Sequence, residues 1–101
     1  DHTPSLVNLG VILKNRGQYE AAIALYRRAQ ALDPHALSVL GNLGNVLLLA
    51  GHFEQALECH ERVLKARPEN AEAFFNKGLT LRAMGRLPQA IFCFDRALAV
   101  Q

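Results

Sequence analysis

Hydrophobic residues near the start of the chain recur with the spacing of an α-helix. Leu6, Leu9, Gly10 and Leu13 stand at i, i+3, i+4 and i+7, which places them on one face of a helix. The pattern predicts an amphipathic helix, helix A, from about Pro4 to Arg16, whose Leu–Gly face packs against a core.

A second helix is predicted after a short break. Gly17 ends helix A, since glycine readily adopts the backbone angles that terminate a helix. Helix B is predicted from about Tyr19 to Leu32, with Tyr26 and Ala29 on its buried stripe. Asp33-Pro34 ends it, because the residue before a proline avoids helical angles. The first third of the chain therefore predicts a helix–turn–helix hairpin.

The same hairpin recurs every 34 residues. A fixed period of this length is typical of stacked-repeat architectures, in which each unit buries its apolar face against its neighbours. The period predicts three units, at residues 3–36, 37–70 and 71–101. Six threefold sets follow it: Gly10, Gly44 and Gly78; Gly17, Gly51 and Gly85; Ala22, Ala56 and Ala90; Leu13, Leu47 and Leu81; Asn8, Asn42 and Asn76; and Arg28, Arg62 and Arg96.

The glycines inside helix A need a physical reason. Glycine in a helix interior costs about 1 kcal/mol relative to alanine. Gly10, Gly44 and Gly78 lie within the apolar face, so a close approach of helix B at that point would offset the cost. Small residues on helix B, the alanine set at Ala22, would permit such an approach.

These positions together resemble the tetratricopeptide repeat family, from residue 3 to the end of the chain. The family pattern is a large residue, then Leu-Gly, a glycine, an alanine, a large aromatic, an alanine and a proline. The resemblance implies an all-α fold of three helix–turn–helix units stacked as a short right-handed superhelix, with helix A lining the concave side. It also implies a scaffold for protein–protein interaction. Departures are Leu6, Leu40 and Phe74 for the usual tryptophan, Lys77 for an apolar residue, His60 for the aromatic, and Gln30 for an apolar residue.

A helical wheel predicts the working surface independently. At 100° per residue, a second face of helix A points away from the Leu–Gly face. We call this second face the groove face, and we predict that it contacts an extended peptide or partner segment. The candidate contact residues are Asn8, Val11, Asn15, Ser38, Asn42, Asn45, Leu49, Glu72, Phe75, Asn76 and Leu79.

Asparagine recurs on the groove face in all three units. It is a mediocre helix former, because its amide competes for backbone hydrogen bonds, while the same amide can donate to and accept from a peptide main chain. Asn8, Asn42 and Asn76 would form a ladder that resembles the asparagine ladder of O-linked N-acetylglucosamine transferase. Two alternatives remain open at this point: hydrogen bonds between neighbouring units, and simple inheritance by repeat duplication.

One known class of ligand does not fit the groove face. Tetratricopeptide repeats that bind the acidic C-terminal tails of chaperones do so with basic residues at three positions. This chain has Val7, Glu72 and Asn76 there. We therefore predict that such tails are not its ligands.

The charge and hydropathy of the chain argue against a nucleic-acid-binding protein and a membrane-spanning protein. Eleven Lys and Arg residues are scattered among nine Asp and Glu residues, for a net charge of +2, which argues against a nucleic-acid binder with a basic stripe. No apolar run approaches the length of a membrane span, and no signal peptide is visible, so a cytoplasmic location is expected.

No catalytic, cofactor or metal site is predicted. Zinc takes four converging ligands at close spacings, and His52, Cys59 and His60 do not supply them. Cys59 and Cys93 hold the same position in adjacent units, which we expect to be too far apart for a disulfide. No nucleophile–base pair or phosphate-binding loop is present, so the chain is not expected to be an enzyme.

Two further hypotheses concern the parent protein. The chain begins at Asp1 and shows no capping helix after its third unit, so it is expected to be part of a longer protein. It would then serve as the substrate-presenting segment of a larger enzyme, such as a glycosyltransferase, or as a structural spacer. Phe92 and the uncapped end of unit 3 also predict self-association, because repeat arrays need polar caps to stay soluble.

Overall fold

The computed structural model describes residues 3–100, which contain six helices and no strand. Helix A of unit 1 begins and ends one residue earlier than predicted, and helix B has the predicted ends. The predicted end of unit 3 at Gln101 lies outside the described residues. The helices are α1 (Thr3–Asn15), α2 (Tyr19–Leu32), α3 (Leu37–Leu49), α4 (Phe53–Ala66), α5 (Ala71–Ala83) and α6 (Leu87–Val100).

The helices form three antiparallel hairpins that stack in chain order. Helices α1 and α2, α3 and α4, and α5 and α6 pack within hairpins, while α2 packs on α3 and α4 on α5 between them. The stack measures 38 × 25 × 19 Å. The all-α architecture of stacked hairpins predicted from the 34-residue period is therefore confirmed.

Glycine makes the turn inside each hairpin. Gly17, Gly51 and Gly85 have φ angles of 76°, 86° and 80°, in the left-handed region that favours glycine. The amide of the following residue donates to a carbonyl five residues earlier, as from Gln18 to Leu13 at 2.9 Å. This pairing satisfies carbonyls at the end of helix A and turns the chain into helix B.

The hydrophobic core runs along the stack from hairpin to hairpin. Its main cluster is shared by α2, α3, α4 and the start of α5, so no hairpin has a core of its own. The members of this cluster are Ala22, Ile23, Tyr26, Leu40, Leu43, Val46, Leu47, Ala56, Cys59, Val63 and Ala73. A smaller cluster of Leu57, Leu81, Ala90 and Cys93 continues the core toward α6.

A ring from helix B covers the glycine of helix A in every hairpin. A Cβ atom built on Gly10 would lie 2.9 Å from the Tyr26 ring, one on Gly44 would lie 2.5 Å from His60, and one on Gly78 would lie 2.6 Å from Phe94. Real Cβ atoms essentially never approach so closely. The predicted close approach at these glycines is confirmed, and the group that makes it is the ring.

Two of the three rings carry buried polar atoms without a partner among residues 3–100, the hydroxyl of Tyr26 and the imidazole of His60. His60 differs from Tyr26 and Phe94 in being a ring that can take up a proton near neutral pH. Its side chain is 1% exposed, and neither ring nitrogen has a hydrogen-bond partner among residues 3–100. Burial lowers the pKa of His60 from 6.5 to about 4, since a charged imidazolium is costly away from water. The folded protein therefore holds His60 neutral at physiological pH.

Burial of equivalent residues depends on their place in the stack. Leu9 was predicted on the buried face of helix A, but it is 47% exposed, whereas its equivalent Leu43 is fully buried. The reason is that Leu43 packs among residues of α2 and α4, while α1 packs mainly against α2. Lys77, the third equivalent, places its Nζ atom 3.5 Å from Oε2 of Glu61.

A matched pair of glycine substitutions in α3 tests the ring-on-glycine contact. Gly44→Ala and Gly41→Ala each gain about 1 kcal/mol of helix propensity. A Cβ at position 44 meets His60, whereas one at position 41 meets nothing within 4 Å. We expect overpacking to leave Gly44→Ala less stable than Gly41→Ala by about 1–3 kcal/mol, measured by urea denaturation. Equal stabilities would show that His60 moves aside at no cost.

Because His60 is neutral in the folded protein, the free energy of unfolding should depend on pH in the acidic range. The unfolded chain protonates this group near pH 6.5 and the folded protein only near pH 4. Between these values the unfolded state binds more protons, so stability falls as pH falls through the window, by about 3 kcal/mol. His60→Phe, which copies unit 3, should lose this component, as judged by denaturation at several pH values. The control His35→Gln changes an exposed histidine and should retain it.

Candidate functional site

The three asparagines of the groove face lie on α1, α3 and α5, one on each helix A. Asn8 is exposed, Asn42 is half-buried and Asn76 is buried, with 8% exposure. None of the three side-chain amides hydrogen-bonds to another group of residues 3–100. Among the described residues, the structure therefore shows no hydrogen bonds from these amides between neighbouring units, which was one alternative explanation of the repeated asparagine.

A polar cavity of about 220 Å³ opens between units 2 and 3. Its walls come from α3 and α5, and α4 contributes His60 and Val63. Five of the residues predicted for the groove face line it, so the structure brings them together from two hairpins. These five are Ser38, Asn42, Asn45, Glu72 and Asn76.

Helical capping places one further amide at the edge of this cavity. Asn70 precedes α5, and its Oδ1 atom accepts a hydrogen bond from the Ala73 amide at 2.9 Å. This cap stabilises the first turn of α5 and thereby fixes Glu72, which follows in that turn. Among residues 3–100, Glu72 is the only charged residue that lines the cavity, so the charge that this part of the chain gives the site is negative.

An apolar surface lies on the far side of unit 3. A cavity of about 710 Å³ between α5 and α6 is lined mainly by carbon, with Phe75, Leu79, Phe94 and Leu98 among its residues. The rings of Phe75 and Phe94 lie 5.7 Å apart with an interplanar angle of 51°. Phe75 and Leu79 were predicted as groove residues, and the structure places them together on this apolar surface.

The remaining predicted residues line neither of these two cavities. Asn8, Asn15 and Leu49 are exposed, and Val11 is half-buried against the main core cluster. Sequence reasoning missed Gly41 and His60 as members of the polar cavity. The available signal was that each departs from its equivalents, since units 1 and 3 have Val7 and Phe75 in place of Gly41.

Residues 3–100 offer little other chemistry for a functional site. No group of three or more His, Cys, Asp or Glu residues in that range could hold a metal ion. Cys59 and Cys93 are free and buried, and burial raises the pKa of both thiols. None of the helices in this range is both long enough and apolar enough to span a bilayer.

Solved structures match the backbone of this chain over nearly its whole length. The chain matches the second tetratricopeptide domain of Spaghetti (RPAP3), solved with the HSP90 peptide SRMEEVD, with a TM-score of 0.90 and 23% identity over 100% of this chain and 94% of that one. It matches MamA from Desulfovibrio magneticus RS-1 with a TM-score of 0.88 and 26% identity, over 98% and 56%. It matches YrrB, described as having an unusual peptide-binding site, with a TM-score of 0.93 and 25% identity, over 100% and 52%.

The MamA and YrrB chains are longer than this one, which spans about half of each. None of the curated proteins matches the sequence significantly. Two family models, each described as tetratricopeptide repeat, match residues 3–69 and 42–100, and repeats of this kind are typically interaction modules without catalytic activity. With the 34-residue period, the ring-on-glycine hairpins and the stacked fold, these matches show that the chain belongs to the tetratricopeptide repeat family.

Proposed function

We propose that the groove face binds an extended peptide segment of a partner protein. The observation that carries this proposal is the ladder of amides at Asn8, Asn42 and Asn76, which have no hydrogen-bond partner within the described part of the chain. A peptide main chain offers alternating donors and acceptors, and a carboxamide can match either. The ladder repeats with the units, with one asparagine on each helix A.

The neighbouring structures support a peptide as the ligand class. YrrB is described as a tetratricopeptide protein with a peptide-binding site. The Spaghetti domain, at 23% identity, shares the fold, but an acidic tail such as its peptide has no matching groove here. Val7, Glu72 and Asn76 stand where the tail-binding class has basic residues, and Glu72 would repel a carboxylate. We therefore propose a ligand segment that is not acidic.

Selection from random peptides tests the ladder. Phage-displayed random dodecapeptides are selected on the wild-type chain, and the affinities of the enriched peptides are measured by fluorescence anisotropy. The triple change of Asn8, Asn42 and Asn76 to alanine should weaken binding at least about tenfold, since each lost amide bond contributes about 0.5–1.5 kcal/mol.

The chain offers a matched control at the same 34-residue period. Arg28, Arg62 and Arg96 are exposed on helix B, and their triple change to alanine should leave peptide affinity unchanged. Unaltered binding by the asparagine variant, with its fold intact by circular dichroism, would refute the ladder.

Self-association is a second candidate function, favoured by large apolar side chains exposed on α1 and α6. In α1, Leu9 and Ile12 are exposed by 47% and 48%, whereas their equivalents Leu43 and Val46 in α3 are fully buried in the cluster shared with α2. At the other end, α6 exposes Leu98 by 71%. We propose that α1 of one copy packs on α6 of another, as α3 packs on α2 within the chain.

Head-to-tail packing predicts a distinctive mixing behaviour. An interface between two different surfaces forms open chains of copies, so the wild type should grow with concentration in sedimentation velocity. Ile12→Glu should block one end and Leu98→Glu the other, leaving each variant monomeric by itself. An equimolar mixture should form a dimer and no larger species, because one competent end of each kind remains. A monomeric wild type at high concentration would exclude the interface.

A further inference from the structure

Unit 2 differs from its neighbours at two positions that face the same cavity. Gly41 stands where units 1 and 3 have Val7 and Phe75, and His60 stands where they have Tyr26 and Phe94. Both residues line the polar cavity between units 2 and 3. The two departures therefore coincide in space, although they are 19 positions apart in the sequence.

Gly41 is not required by packing. A Cβ atom at this position meets nothing within 4 Å, in contrast to Gly44 in the same helix. A glycine inside a helix costs stability relative to almost any other residue, and here no neighbouring group is accommodated in return. What the missing side chain provides is open space on the groove face, next to the wall that contains His60.

His60 supplies that wall with unpaired polar atoms. Both ring nitrogens lack a hydrogen-bond partner within residues 3–100, and the side chain is 99% enclosed. In a neutral imidazole one nitrogen donates and the other accepts. The amides of Asn42, Asn45 and Asn76, which line the same cavity, also offer both kinds of group.

We propose that the cavity beside Gly41 and His60 is a subsite for an uncharged carboxamide side chain, Asn or Gln, of the peptide bound in the groove. This inference rests on the proposed peptide-binding function and specifies which side chain that site accepts. The ring would have to rotate for a bound amide to reach its nitrogens, since both are covered in the free protein.

The chemistry of the walls disfavours carboxylate, cationic and aliphatic side chains. A carboxylate would find no cation among the lining residues and would be repelled by Glu72. An ammonium or guanidinium group would be attracted by Glu72, but it only donates hydrogen bonds, so it would leave the donor nitrogen of His60 without an acceptor. An aliphatic side chain would leave the nitrogens and the amides unpaired, which is costly in a buried site. A carboxamide both donates and accepts without carrying charge.

The test uses the same phage-displayed random dodecapeptides with two baits, the wild-type chain and Gly41→Val. Valine is the residue that unit 1 has at this position, so the variant fills the cavity with a side chain that the fold already accepts. Its melting temperature should be at least that of the wild type, because valine is a better helix former than glycine. If Gly41→Val is stable but no longer prefers peptides with Asn or Gln, the role of Gly41 is in binding and not in folding.

We expect peptides enriched on the wild type to share one Asn or Gln position. Replacing that residue by Leu in a selected peptide should lower its affinity for the wild type about tenfold and its affinity for Gly41→Val by less than about twofold. Peptides enriched on Gly41→Val should show no preference at that position.

The outcomes separate the subsite from the function on which it rests. If both baits enrich the same sequences, or if the wild-type set has no conserved Asn or Gln, the subsite proposal is wrong while peptide binding stands. If the wild-type bait enriches no peptide at all, the proposed function fails, and the subsite fails with it.

Discussion

The contact between a ring on helix B and a glycine on helix A determines the geometry of each hairpin. Built Cβ atoms on Gly10, Gly44 and Gly78 would all collide with the ring opposite, so the two helices can be this close only where helix A lacks a side chain. The cost of glycine in the helix is offset by the burial of a large ring, as with Tyr26, which is fully buried. Because the ring fills the Leu–Gly face, the groove face of helix A points away from that contact, and its asparagines range from the exposed Asn8 to the buried Asn76.

This repeated contact does not make the units equivalent. A helix A that lies between two hairpins is buried on sides that remain exposed at the end of the stack, as the contrast between Leu9 and Leu43 shows. Stability of such arrays comes from the interfaces between units as well as from each unit. The proposed self-association follows from the same constraint, since Leu9 and Ile12 are exposed on α1 while their equivalents Leu43 and Val46 are buried between hairpins.

The sequence predicted the fold well because its strongest signals are local. The ends of helix B at Tyr19 and Leu32 follow from Gly17 and Asp33-Pro34, and the 34-residue period multiplies that evidence threefold. The prediction that Leu9 is buried was wrong, because periodicity identifies which residues share a face of a helix but not whether a neighbouring hairpin covers that face. The cavity at Gly41 and His60 was not predicted, since it depends on which side chains of two hairpins meet. The mismatch of both residues with their equivalents was visible, but only the structure places them at one wall.

His60 shows how unit 2 keeps the hairpin architecture although its side chain differs chemically from those of Tyr26 and Phe94 in the other units. Its ring packs on Gly44 as Tyr26 packs on Gly10, so the hairpin retains its shape. The two unpaired nitrogens and the lowered pKa are costs that Phe94 does not carry in unit 3. Gly41 adds a second cost to stability in the same unit, because glycine disfavours the helix and no neighbouring atom at this position requires it. Two costs that converge on one polar cavity, in the central unit of the groove, are more readily explained by a ligand than by the fold. Phe94, at the position of His60 in unit 3, and Val7, at the position of Gly41 in unit 1, carry neither cost.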